Sequence, residues 1–291
     1  LLGQPKPFDV TLRDGLQSLS KEEQRAFTTD HKMKIYDDIV TKYNPKSVEV
    51  GSIVSEKVLP VFSDTIPLSK LIYNYHKDDD TYNRPTSHVL IPNKEKLRTV
   101  INNPFITHFS FITSVSNGFQ LKNTKMSLAD SDSELLEMLY ILEDLCISAI
   151  KPSVRLYVSC INQCPIEGRI DNDYIIHRLL KFHNMDIDDI CISDTCGSLD
   201  PEDFEYIIDT CRVFGMPMSK LSLHLHVNPD RIKTVEQIIH MAFDRKIINF
   251  DVSYLSTGGC SVTMDRSRLS PNLSYEQYYN ALCKYIEKRV N

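Results

Sequence analysis

The chain has 291 residues, 42% of them hydrophobic and 25% charged, enough to bury a large core as one α/β barrel or as two smaller domains. Its formal net charge is -6 with both signs interspersed, which gives no electrostatic reason to expect a nucleic-acid partner or an anionic membrane surface. No run approaches the ~20 apolar residues that span a bilayer, and Leu1 to Pro5 is not a charged region leading into an apolar stretch; the expectation is a soluble, cytoplasmic protein.

In chain order, short β-branched or apolar runs alternate with longer amphipathic segments. The candidate strands are Phe8 to Thr11, Ser47 to Val50, Ser87 to Ile91, Thr107 to Ile112, Val154 to Ser159, Asp189 to Ser193, Leu221 to His226 and Asn249 to Tyr254. Apolar spacing predicts a helix over Asp130 to Ile150. Another is predicted over Asp203 to Phe214, introduced by Asp200-Pro201-Glu202 with an N-cap acid and a proline at the first helical position. About eight strands separated by helices predict a (β/α)8 TIM barrel of the α/β class, one domain over residues 1–291. Lys77-Asp78-Asp79-Asp80 lacks the alternating ligands and the glycine turn of a calcium loop and reads as a solvated loop. The eight cysteines include several inside apolar runs, such as Ile190-Cys191-Ile192. No Cys-x-x-Cys pairs fall at zinc-finger spacing, so buried thiols in a reducing compartment are expected.

In a parallel barrel the active site lies past the carboxyl ends of the strands. There the first strand runs into Thr11-Leu12-Arg13-Asp14-Gly15-Leu16-Gln17, which puts a cation, a carboxylate and an amide at the mouth; an Arg beside an Asp is, by itself, commonly a surface ion pair. The seventh ends in His224-Leu225-His226, and residues at i and i+2 of a strand share a side, so both imidazoles can face one ion. Such a pair alone is more often a polar core feature. A carboxylate from Asp14 would complete a mixed nitrogen and oxygen site, and barrel closure brings strands one and seven close. Ser256-Thr257-Gly258-Gly259-Cys260 follows strand eight and is either a flexible turn with an incidental thiol or a mobile loop that carries a proton donor. Glu49 in strand two and Asp194 at the end of strand six either support a ligand or Arg13 from behind, or are inward residues paired with a cation. His177 and His183, in a helical pattern, read as surface histidines. No Walker A sequence, dinucleotide fingerprint or Gly-x-Ser-x-Gly elbow is present.

The sequence resembles the DRE-TIM metallolyase superfamily, and within it most closely the 3-hydroxy-3-methylglutaryl-CoA lyase family. The resemblance is carried in order by Thr11 to Gln17, Val48-Glu49-Val50, Val89-Leu90-Ile91-Pro92-Asn93, Tyr157-Val158-Ser159-Cys160, Cys164-Pro165-Ile166-Glu167-Gly168, Ser193-Asp194-Thr195-Cys196-Gly197, His224-Leu225-His226 and Gly258-Gly259-Cys260. It implies a Mg2+ or Mn2+ ion held by Asp14, His224, His226 and Asn272. It further implies that Arg13 steadies a developing enolate, that Asp194 and Glu49 serve in or behind the site, and that Cys260 is the loop acid. Gln17, Gly258, Gly259 and Glu276 fall on the substrate or loop side. The implied reaction is retro-Claisen cleavage of an acyl-CoA to acetyl-CoA and acetoacetate, and a homodimer is compatible with it. Two alternatives stand beside it: a related 2-oxo acid aldolase or acyl-CoA condensing synthase, and an inactive barrel that serves as a binding or scaffold protein. The chain departs from the family in reading Val227 where an acid follows the second histidine, and in a longer run, Ser261 to Pro271, before Asn272. The first loses an acid beside the metal; the longer run bears on the substrate more than on the metal.

Overall fold

In the computed structural model, residues 5–77, 84–145, 152–259 and 263–290 are described. Eight parallel strands close into a barrel: β1 (Phe8–Asp9), β2 (Ser47–Ser52), β3 (Thr86–Leu90), β4 (His108–Ser114), β5 (Ser153–Ser159), β6 (Asp189–Asp194), β7 (Leu221–Leu225) and β8 (Asn249–Val252). Each pairs with its neighbour in sequence, and β1 closes the ring against β8 through Phe8 opposite Asp251 and Asp9 opposite Val252. Val, Ile, Leu and Phe side chains from strands and helices merge into one buried cluster, the packing that stabilises a filled barrel. No helix among the described residues is long and apolar enough to cross a membrane.

All eight predicted strands are present, and their ends differ for local reasons. β1 stops at Asp9 because the Asp9 carboxylate accepts from Thr11 N and Thr11 Oγ1, both at 2.9 Å, and bends the chain out of the ladder. The chain then enters a π-helical turn, Thr11–Gly15, in which Gly15 N donates to Val10 O. Such single wide turns cluster at functional sites. β8 ends at Val252 rather than Tyr254, since Ser253 pairs with Ser274 instead.

The helix expected from Asp130 begins at Leu128 and is described to Leu145; Cys146 to Ile150, like Asp78 to Asp80, lie outside the described residues. The helix Pro201–Val213 has its proline at the start, but Asp200 makes no side-chain cap. Its carboxylate accepts from Arg231 instead, at 2.8 Å. His177 is exposed and His183 half-buried on the helix Asn172–His183.

Candidate metal centre

The π-helical turn after β1 buries Arg13 and Asp14 at the carboxyl end of the barrel, and β7 and the residue that follows it deliver His224 and His226 beside them. One ligand atom from each of Asp14, His224 and His226 lies within 4.8 Å of the others. His224 Nε2 is 3.8 Å from Asp14 Oδ2 and 3.2 Å from His226 Nε2. The outer nitrogen of each ring faces an acceptor: His224 Nδ1 lies 2.9 Å from Asp251 Oδ2, and His226 Nδ1 lies 3.0 Å from the Ser270 carbonyl. A carbonyl only accepts, and so does an ionised carboxylate, so both Nδ1 atoms donate. Two Nε2 lone pairs are thereby turned toward each other and toward a carboxylate, an arrangement that a cation between them would resolve.

Asn272, expected as a fourth ligand, lies next to His226. It is bridged to His226 through the backbone, and both its amide oxygen and nitrogen are buried without a hydrogen-bond partner among the described residues. Leaving an amide unsatisfied costs about 1–3 kcal/mol. The donor set of one carboxylate, two imidazoles and an amide oxygen fits a divalent ion with positions left open for substrate oxygens.

The remaining contacts fix Asp14 in place. Its Oδ1 accepts from Arg13 Nη1 and Gln17 Nε2, both at 2.7 Å, and its Oδ2 from Gly259 N at 2.8 Å. Burial opposes its ionisation, but Arg13, the two histidines and the Gly259 N–H hold the carboxyl well below the usual carboxylate range. Burial, reinforced by His224, pushes His226 down to about 4 against the pull of Asp14, so the ring is neutral and able to ligate at neutral pH.

Arg13 Nε is hydrogen-bonded to Glu49, which sits where β2 shifts register against β3 between Glu49 and Gly51. A bulge of this kind re-aims side chains. Tyr157 OH donates to the same Glu49 oxygen at 3.0 Å, and the Arg13 guanidinium lies 4.7 Å from the Tyr157 ring centre. These residues open onto a pocket with a largely apolar wall that includes Val54, Leu59, Leu90, Ile112 and Phe119.

Not every residue singled out from the sequence is brought here. Asp194 turns away: Ser198 N and Leu199 N donate to its two oxygens at 2.9 and 3.0 Å, so it shapes the turn after β6, where burial raises it to about 6. Glu276 is exposed in the first turn of the helix Tyr275–Val290. Cys260 lies outside the described residues. Conversely, Asp251 and the Ser270 carbonyl hold His224 and His226, and Tyr157 backs Arg13, without being marked by the sequence pattern. An acid in the middle of an apolar strand, Phe250-Asp251-Val252, was the available signal.

A family model described as HMGL-like matches residues 4–230. The mitochondrial hydroxymethylglutaryl-CoA lyase of Macaca fascicularis is 27% identical over 257 residues, covering 88% of this chain and 72% of its own length. The hydroxymethylglutaryl-CoA lyase of Pseudomonas mevalonii is 21% identical over 255 residues, covering 88% and 77%. In shape, the chain is similar to an HMG-CoA lyase from Acenitobacter baumannii solved in complex with coenzyme A and 3-methylmalate. The TM-score is 0.78 at 23% identity, over 98% of this chain and 84% of that one.

Proposed function

The chain belongs to the HMGL-like family, and we propose that it is a divalent-metal-dependent carbon-carbon lyase that cleaves 3-hydroxy-3-methylglutaryl-CoA, or a similar 3-hydroxyacyl thioester, to acetyl-CoA and acetoacetate. The observation that carries this is the convergence of Asp14, His224 and His226 beside the unpartnered amide of Asn272, at the mouth of a mainly apolar pocket. These four residues would hold Mg2+ or Mn2+. When bound, the ion supplies Lewis acidity to the hydroxyl and carbonyl oxygens of the substrate.

The chain's own residues do the rest. Arg13, pinned by Asp14 and Glu49 and laid over Tyr157, keeps a fixed positive charge where negative charge builds on the thioester oxygen as the carbon-carbon bond breaks. The apolar wall keeps bulk water from the carbanionic product. Cys260, on the loop that begins with Gly258 and Gly259, is assigned the proton donor to that carbon. Coenzyme A and 3-methylmalate in the Acenitobacter baumannii structure support an acyl-CoA substrate bearing a hydroxy acid. We place the protein in a reducing compartment such as the cytoplasm, in which the six cysteines among the described residues remain thiols. Residues 1–291 are taken as one catalytic domain.

The test is incubation of the purified protein with 3-hydroxy-3-methylglutaryl-CoA, with Mg2+ or Mn2+ and with chelator, beside Asp14→Asn. Acetyl-CoA and acetoacetate that depend on the ion and vanish in the variant are expected. An ion-loaded protein that yields neither product rules out this substrate. Release of free thiol from acetyl-CoA and a 2-oxo acid would then identify a condensing synthase, and no turnover of either a binding protein.

A further inference from the structure

Beneath the proposed ligands, the interior of the barrel holds a chain of buried polar groups that the cleavage itself does not use. Arg155, on β5, is 1% exposed, and its guanidinium carbon lies 3.9 Å from the Phe8 ring centre and 4.9 Å from that of Tyr157. Its Nη2 donates to Asp251 Oδ1 and, at 3.0 Å, to Ser222 Oγ. The second oxygen of Asp251, Oδ2, faces His224 Nδ1.

We propose that Asp251 and Arg155 are positioning residues that select one tautomer of His224, the one with its proton on Nδ1 and its Nε2 lone pair turned toward Asp14 and His226. This rests on the metal assignment above, to which it adds the device that makes the site ready. Arg155 has donors only, so it claims Oδ1 and leaves Oδ2 for the histidine. The guanidinium lies over the Phe8 and Tyr157 rings, with Ser222 and Cys191 also on Nη2 and Asp189 3.4 Å from Nε, so this buried network holds the Asp251 carboxylate with Oδ2 toward the histidine.

The arrangement has a specific consequence for an isosteric change. In Asp251→Asn the amide must turn its oxygen to Arg155, because two donors cannot face each other, and its NH2 then faces His224. Nδ1 becomes an acceptor and the ring proton moves to Nε2. From there it can bond His226 Nε2, 3.2 Å away, whose own Nδ1 is committed to Ser270. In the folded variant a hydrogen bond between the two histidines fills the direction in which both would ligate.

The experiment is nitrogen-15 NMR of the imidazoles in metal-free wild type and Asp251→Asn, paired with Mn2+ titration followed by electron paramagnetic resonance. Expected are a His224 proton on Nδ1 in wild type and on Nε2 in the variant, with Mn2+ affinity lowered roughly 10- to 100-fold. Wild type with its proton on Nε2 overturns the proposal and needs no variant to fold. So does a folded variant that keeps the Nδ1 proton or binds Mn2+ as wild type does. Wild type with the Nδ1 tautomer but no Mn2+ binding would uphold the tautomer selection and remove the metal assignment instead.

Discussion

The backbone of Gly258 lies flat against the amide of Asn272, so closely that a methyl group on Gly258 would sit 2.5 Å from Nδ2 and 2.8 Å from Oδ1. Asn272 cannot retreat freely, since it is buried and its backbone is tied to His226 and to Thr257. Gly258→Ala is therefore expected to displace the amide while leaving the barrel folded, and to weaken Mn2+ binding about tenfold, the equivalent of 1.4 kcal/mol. Isothermal titration with Mn2+ reads this directly, and unchanged affinity would remove Asn272 from the ligand set.

Metal loading should also be visible in stability. A ligand that binds only the folded chain stabilises it by about 2.7 kcal/mol at a hundredfold excess over its Kd. A rise in Tm with Mn2+ is expected for wild type and none for Asp14→Asn. An equal rise in both would place the ion elsewhere on the molecule.

Tyr157→Phe removes one donor from Glu49 and leaves the ring under Arg13. Hydrogen bonds to charged groups contribute about 1.5–3 kcal/mol. Because Glu49 then has a freer hold on Arg13, we expect kcat to fall about tenfold, or 1.4 kcal/mol, with little change in KM. A variant with wild-type kcat would show that the Tyr157 hydroxyl is not needed to hold Glu49 against Arg13.

Burial lifts Asp9 to about 7, against hydrogen bonds from Thr11 N, Thr11 Oγ1 and Tyr275 OH. The unfolded chain gives up that proton near the ordinary carboxylate value, so between about pH 4 and 7 the folded state holds a proton the unfolded state lacks. This contribution is complete below pH 4 and lost as pH rises through 7. At about 1.4 kcal/mol per pH unit it amounts to on the order of 4 kcal/mol. Asp9→Asn should therefore flatten the pH dependence of stability in that window, as read by urea unfolding of metal-free protein. Parallel curves for the two proteins would argue that Asp9 is ionised in the fold.

The strands were legible because each is a short β-branched or apolar run between polar segments, and the alternation of strand and helix specified a barrel. His224 and His226 could be paired from the two-residue period of a strand alone. Asn272 could not, since it lies outside any strand and entered only through the family resemblance. Asp251, Arg155 and Tyr157 were hidden for a different reason: their partners sit on other strands, and which residues meet across a barrel depends on register, which the periodicity of one strand does not contain. Asp194 shows a further limit of reading one strand at a time. A carboxylate at a strand end points to the mouth only if the backbone of the following turn does not take it first, as Ser198 and Leu199 do here.

The hydrogen bond from Gly259 N to Asp14 Oδ2 joins the turn after the first strand to the loop after the last. It spans the seam where β1 meets β8, the one pairing in the ring that joins its first strand to its last. During synthesis Asp14 must therefore wait for nearly the whole barrel to emerge before Gly259 and Asn272 can reach it. A growing chain halted after β7 would carry three of the four proposed ligands and an open ring. Entropy opposes bringing such distant segments together, though the penalty grows only slowly with length. An ion that binds across the seam would act as a late clasp on the nascent protein, favouring closure at the moment the last strand arrives.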